Sequence, residues 1–119
     1  MAKLEYQSSC PVGGALNVFA GRWKPEILWH LSNGAMRFNK LQRSIGQVSQ
    51  KMLTQQLREL QRDGLIKRTQ YPEIPPRVEY EKTKLADSLT SIFNQLEDWN
   101  RKHQSLVSDA QQEYDAQKE

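Results

Sequence analysis

The chain is 119 residues long with a single cysteine, enough for one domain with a modest core, and it excludes both a second domain and an internal disulfide. No apolar run approaches the ~20 residues that cross a bilayer, and the opening MAKLEYQSSC lacks the apolar segment of a signal peptide, so a cytoplasmic protein is expected. The net charge of +3 is uneven: residues 1–84 carry 14 Lys+Arg against 7 Asp+Glu (+7), and residues 85–119 carry 3 against 7 (−4), as in a basic body that meets a polyanion and an acidic end that does not.

Pro11 opens a first helix in which Val12, Ala15, Leu16, Phe19 and Ala20 recur at helical spacing, and Gly21 ends it. A second helix runs from about Pro25 to Ser32, with Ile27, Leu28 and Leu31 inward and Asn33-Gly34 as its stop. Met36-Arg37-Phe38 is long enough only for an edge strand. Asn39 is placed to cap a short helix ending at Ile45-Gly46, with Gln42 at the capping-box position. Gly46-Gln47-Val48 then reads as a tight turn, and Ser49 caps a helix running to Asp63.

That last helix carries the strongest signal. Leu53, Leu57 and Leu60 share one side, while Lys51, Gln55, Arg58 and Arg62 fall opposite, with Thr54 beside them. Lys and Arg reach phosphates and guanine edges, and Gln can pair with adenine, so this face suits an anionic, patterned partner. Two helices a few residues apart, with Gly in the turn and a basic face on the second, make a helix-turn-helix. Many αα-hairpins share that spacing, so the next segment matters. Leu65–Tyr71 and Arg77–Lys82 read as two strands joined by Pro72–Pro76, PEIPP, which cannot continue a ladder because Pro lacks the N–H. A stiff-tipped hairpin directly after a helix-turn-helix is a wing, offering Lys67, Arg68 and Arg77 to a DNA backbone or minor groove.

From Thr83 onward Leu85, Leu89, Ile92, Leu96, Trp99, His103 and Leu106 step alternately by four and three, with Phe93 beside them. This is a heptad seam, and a domain this small cannot bury so long a helix against itself. The seam is therefore expected to join two chains. The expected architecture is mainly α with a small β-hairpin (α+β): a winged helix-turn-helix domain over residues 1–106 with flanking N- and C-terminal dimerisation helices, the latter at 84–106. Residues 107–119 are expected to form a polar tail, with the chain fraying from Gln104 onward.

CPVGGALNVFAGRWKPEILWHL, MRFNKLQRSI and SQKMLTQQLRELQRDGLIKRTQYPEIPPRVEYEKT together closely resemble the HxlR-type winged-helix regulators of bacteria, relatives of the MarR group, over roughly residues 10–100. The resemblance implies a dimeric DNA-binding transcriptional regulator acting on a palindromic operator. It places the recognition helix at Ser49–Asp63 and the wing at Tyr71–Tyr80, and makes Cys10 the residue that some members use to sense oxidants or electrophiles. One departure is Thr83-Lys84-Leu85-Ala86, where members commonly have Thr-x-x-Gly.

For direct base readout the expected residues are Gln50, Lys51, Thr54, Gln55 and Arg58, following the Ser49 cap, because the N-terminal half of such a helix enters the groove most deeply. Arg37, Asn39, Lys40, Arg62 and Arg68 are expected to grip phosphates, and Arg77 could do either. Cys10 precedes Pro11 at a helix N-terminus, where a sulfur is reactive if exposed; the plainer alternative is a small buried apolar residue. Trp23, Trp29 and Trp99 read as core and interface material, with an aromatic pocket for a small effector as the alternative. No cofactor or metal is expected, since neither His30 nor His103 has ligands at metal spacing. An enzyme is excluded because nothing pairs a nucleophile with a base. A winged helix serving as a protein-interaction module, without specific DNA readout, predicts an apolar or acidic outer face, which Lys51, Gln55, Arg58 and Arg62 contradict.

Overall fold

A computed structural model of the chain describes residues 10–117. They divide into two compact units, a body ending at Asp87 and a second unit beginning at Ser88.

The body opens with α1 (Pro11–Phe19), its Pro in the first turn, where the missing N–H costs nothing. α2 (Lys24–His30) also starts with Pro near its N-terminus and tightens into a 3₁₀ turn at Leu31–Asn33. The edge strand β1 (Met36–Arg37) runs directly into α3 (Phe38–Ile45), and α4 (Gln50–Arg62) follows. The strands β2 (Ile66–Tyr71) and β3 (Arg77–Lys82) form the hairpin, and a single helical turn, α5 (Lys84–Asp87), closes the body. The sheet order is β1-β3-β2, all antiparallel. Met36 pairs with Tyr80 on one side of β3, and the hairpin register runs from Ile66–Lys82 to Tyr71–Arg77 on the other.

One core holds the body together. Ile27, Leu31, Leu41, Leu53, Leu57, Leu60 and Leu65 are essentially inaccessible to solvent, with Phe19, Leu28, Val48, Ile66 and Ala86 around them. Burying each large side chain contributes about 1.5–3 kcal/mol, so the three leucines of α4 anchor that helix to α2 and β2 and leave its other faces for solvent.

The capping of α3 differs from expectation. Arg37, not Asn39, is the N-cap residue, and it makes no side-chain cap. Gln42 is not in a capping box either: its Nε2 donates to the Val48 carbonyl at 3.2 Å. The cause is the direct passage from β1 into α3, which starts the helix one residue before Asn39. Gln42 instead pins the turn between α3 and α4, where Gly46 adopts φ +97°, a conformation that costs other residues dearly. Ser49 caps α4 as its sequence position predicts, with the Met52 N–H donating to its Oγ at 3.0 Å.

The C-terminal region is corrected in two ways. The helix expected over 84–106 is divided: Leu85 belongs to α5 in the body, a turn occupies Ser88-Leu89, and α6 begins at Thr90. Thr83 sets this division, its hydroxyl donating to the Gly64 carbonyl at 2.7 Å and accepting from the Ala86 N–H at 3.3 Å. Nor does the chain fray after Gln104. α6 spans Thr90–Gln117, 28 residues, with none of them buried. Along it Arg101 pairs with Glu97, and with Asp98 at 3.1 Å. Among the described residues no helix is long and apolar enough to cross a membrane.

Candidate nucleic-acid interface

The leucine anchors fix which side of α4 solvent can reach. Gln50, Lys51, Arg58, Gln61 and Arg62 are exposed, and Thr54 is half-buried between them. This strip is amide and cationic, as the sequence predicts, and it gains Gln61, which sequence reasoning missed. Its signal was present: Gln61 lies three residues after Arg58 and seven after Thr54, on the same helical face. The helix is held at its N-terminal end. The Ser49 cap fixes its start, and Arg22 Nη2 donates to Gln47 Oε1 at 3.2 Å across the turn that precedes it.

Gln55 is the exception on this helix. It is half-buried, and its Nε2 donates to Glu59 Oε2 at 3.3 Å. Glu59 Oε1 in turn lies 2.7 Å from Lys24 Nζ, with the two side chains 12% and 5% exposed. Neither Lys24 nor Glu59 is among the residues singled out from sequence, because 35 positions separate partners on different helices.

A second group gathers beside the start of α3. Arg37, Asn39 and Lys40 are all exposed there, and with Arg43, Arg77 and Glu79 they line a cleft of about 610 Å³ between α3 and the wing base. Arg43 is the addition here; its position one turn after Lys40 and Asn39 on α3 is the signal that could have found it. Arg37, Lys40 and Arg43 around one cleft at a helix N-terminus suit an anion.

On the wing, Arg68 and Lys67 are exposed. Strand alternation puts Arg68 on the same sheet face as the buried Ile66, the side packed on the helices, and Lys67 on the other face. Arg77 is engaged within the hairpin. It pairs with Glu73 at 2.9 Å, lies 4.0 Å from Glu79, and its guanidinium sits 4.0 Å from the Tyr71 ring centroid. Such stacking and pairing stiffen the wing and draw Arg77 away from outside contacts. Ile74, at the wing tip, is fully exposed.

The remaining candidates lie elsewhere. Cys10 is exposed and is the N-cap residue of α1. Of the proposed dimerisation residues, Ile92, Leu96 and Trp99 are exposed on α6 with Phe93 half-buried; Leu85 is exposed on α5, and Leu89 lies in the turn between them. Val12 and Leu16 expose a second apolar face on α1. Trp23 is half-buried with Arg22 stacked 4.4 Å from its ring, whereas Trp29 is 72% exposed and so is not core material.

Comparison with known proteins agrees with this layout. The HxlR-like helix-turn-helix family matches residues 18–108. The uncharacterized HTH-type transcriptional regulator YtcD of Bacillus subtilis is 45% identical over 107 residues, covering 90% of this chain and 83% of that protein. A crystal structure of ytcD superposes with a TM-score of 0.77 at 44% identity, covering 81% of this chain and 98% of that one. YdeP, a regulator of the same description from the same organism, is 40% identical over 98 residues, 82% of this chain and 77% of that protein. The redox regulator HypR in its reduced form superposes with a TM-score of 0.78 at 36% identity, covering 84% of this chain and 99% of that one. Since the family match spans most of the chain, the protein belongs to the HxlR-like helix-turn-helix family and is a transcriptional regulator of helix-turn-helix type.

Proposed function

We propose that the protein binds an inverted-repeat operator in double-stranded DNA as a homodimer and controls transcription from it. The observation that carries this reading is the exposed strip of α4, in which Gln50, Lys51, Arg58, Gln61 and Arg62 face solvent on a helix capped and set by a tight turn. α4 enters the major groove, Lys51, Thr54 and Arg58 read base edges, and Arg37, Asn39, Lys40 and Arg68 hold phosphates. Homodimerisation is supported by α6, none of whose 28 residues is buried, while Ile92, Leu96, Trp99 and Leu106 expose apolar surface. Half-sites of an inverted repeat call for two α4 helices about 34–36 Å apart, one turn of DNA, or a multiple of it. The test is retention of random duplex DNA at near-physiological salt. An enriched inverted repeat supports the reading. Retention without a consensus, fading steeply with salt, reduces the contact to phosphates and favours a protein-interaction module instead.

A redox input at Cys10 completes the proposal. Cys10 is exposed at the start of α1, and a structure at TM-score 0.73 and 40% identity is that of the redox regulator HypR in its oxidized form. A peroxide takes two electrons from the Cys10 thiol to give a sulfenic acid and water, and the thiol of a small molecule or of a second subunit then displaces water to form a disulfide. Cys10→Ser then makes operator binding insensitive to peroxide, quinone and aldehyde. Unaltered sensitivity in that variant removes Cys10 from the mechanism.

A further inference from the structure

Among the described residues Lys24 is the one buried charged side chain. Its Nζ is 2.7 Å from Glu59 Oε1, and Glu59 Oε2 accepts from Gln55 Nε2 at 3.3 Å. The chain of contacts starts on α2 and ends on the side of α4 opposite the leucine stripe, where Gln55 lies.

The chemistry of this arrangement restricts Gln55. A carboxylate offers only acceptors, so the end of the Gln55 amide beside Glu59 must be its nitrogen; a flipped amide would set oxygen against oxygen. Lys24 supplies the counter-charge and holds the carboxylate in place. With one N–H of Nε2 directed to Glu59, the other N–H and Oε1 remain side by side in a fixed order. That donor and acceptor match N7 and the N6 amino group of adenine, the bidentate pairing open to Gln. We infer that Glu59, seated on the buried Lys24, is a positioning residue that sets the amide orientation of Gln55 and thereby makes Gln55 an adenine reader. A purely structural role for the Lys24–Glu59 pair would leave base preference untouched. The inference rests on the proposed DNA readout.

The experiment begins with the inverted repeat retained by the wild-type protein and measures binding to that duplex with each base pair replaced in turn. Gln55→Ala identifies the position it reads, where the wild-type protein prefers A·T by about 5- to 140-fold. The double variant Lys24→Met/Glu59→Met keeps length and leaves no buried charge behind. Glu59→Gln, whose amide donates as well as accepts, keeps the shape but no longer forces one orientation. The expected result is that both lose most of the A·T preference at that one position, retain preferences elsewhere, and add nothing in a Gln55→Ala background. If the double variant does not fold, judged by its thermal unfolding, Glu59→Gln decides, assayed below its own unfolding temperature because Lys24 then lacks its counter-charge. A uniform loss at all positions, or an unchanged A·T preference, overturns the inference and leaves the pair as a lock between α2 and α4. If the wild-type protein retains no consensus, the proposed function falls first, and the inference with it.

Discussion

Replacing Glu59 with Ala tests how α2 and α4 are held together. At 2.7 Å the charges of Lys24 and Glu59 attract by about 6 kcal/mol at an effective dielectric of ~20. Most of this offsets the cost of removing both ions from water, so the intact pair adds little net stability. Removing one partner is different, because the Lys24 side chain is 5% exposed and its desolvation then goes uncompensated. The expected loss for Glu59→Ala is about 3–5 kcal/mol, whereas Lys24→Met/Glu59→Met should be nearly neutral. In urea denaturation followed by circular dichroism, 3–5 kcal/mol at an m-value of ~2 kcal/mol/M lowers the midpoint by about 1.5–2.5 M. The comparison must hold protein concentration fixed, since association stabilises by mass action. A Glu59→Ala midpoint within about 0.5 M of wild type, or a double variant as weak as the single one, refutes the argument.

Two further outcomes follow from the interface. Arg68→Ala should weaken operator binding nearly uniformly across base substitutions and lower the slope of log affinity against log salt by about 1; a change confined to one base pair in a salt-series titration would reassign Arg68 to base readout. Ser49→Ala removes the hydroxyl that accepts the Met52 N–H and should cost about 0.5–2 kcal/mol of stability in the same denaturation assay, and a variant as stable as wild type contradicts the capping role.

The features legible in the sequence are those with local causes. Ser49 as a cap, the Leu53–Leu57–Leu60 stripe and the Pro-rich wing tip all depend on residues within a few positions of one another, and all are present. The Lys24–Glu59–Gln55 contacts were not legible, because they join two helices whose packing angle no spacing rule gives. Asn39 misled for a related reason: the strand entering α3 decides where the helix begins, and that strand is fixed by Tyr80 and Glu79 far along the chain. The end of α6 was misjudged by reading polarity as fraying. Residues 77–119 contain neither Gly nor Pro, and the Gln, Ala, Glu and Asp after Val107 carry no stop signal, so helix propensity continues the helix. The same polarity hid a continued apolar series at Val107, Ala110 and Tyr114, which lie together on one side of α6.

The measurement that bears most directly on the central claim is selection from random duplex DNA run side by side with the wild-type protein and Arg58→Ala. Arg58 is exposed on the α4 strip, and as a base reader its loss should cost about 1–3 kcal/mol and relax sequence preference where it reads. The account predicts an inverted repeat for the wild-type protein, and for Arg58→Ala the same repeat with one position relaxed symmetrically in each half-site. An identical consensus from both proteins, or no consensus from either, contradicts the assignment of α4 as the element that reads DNA.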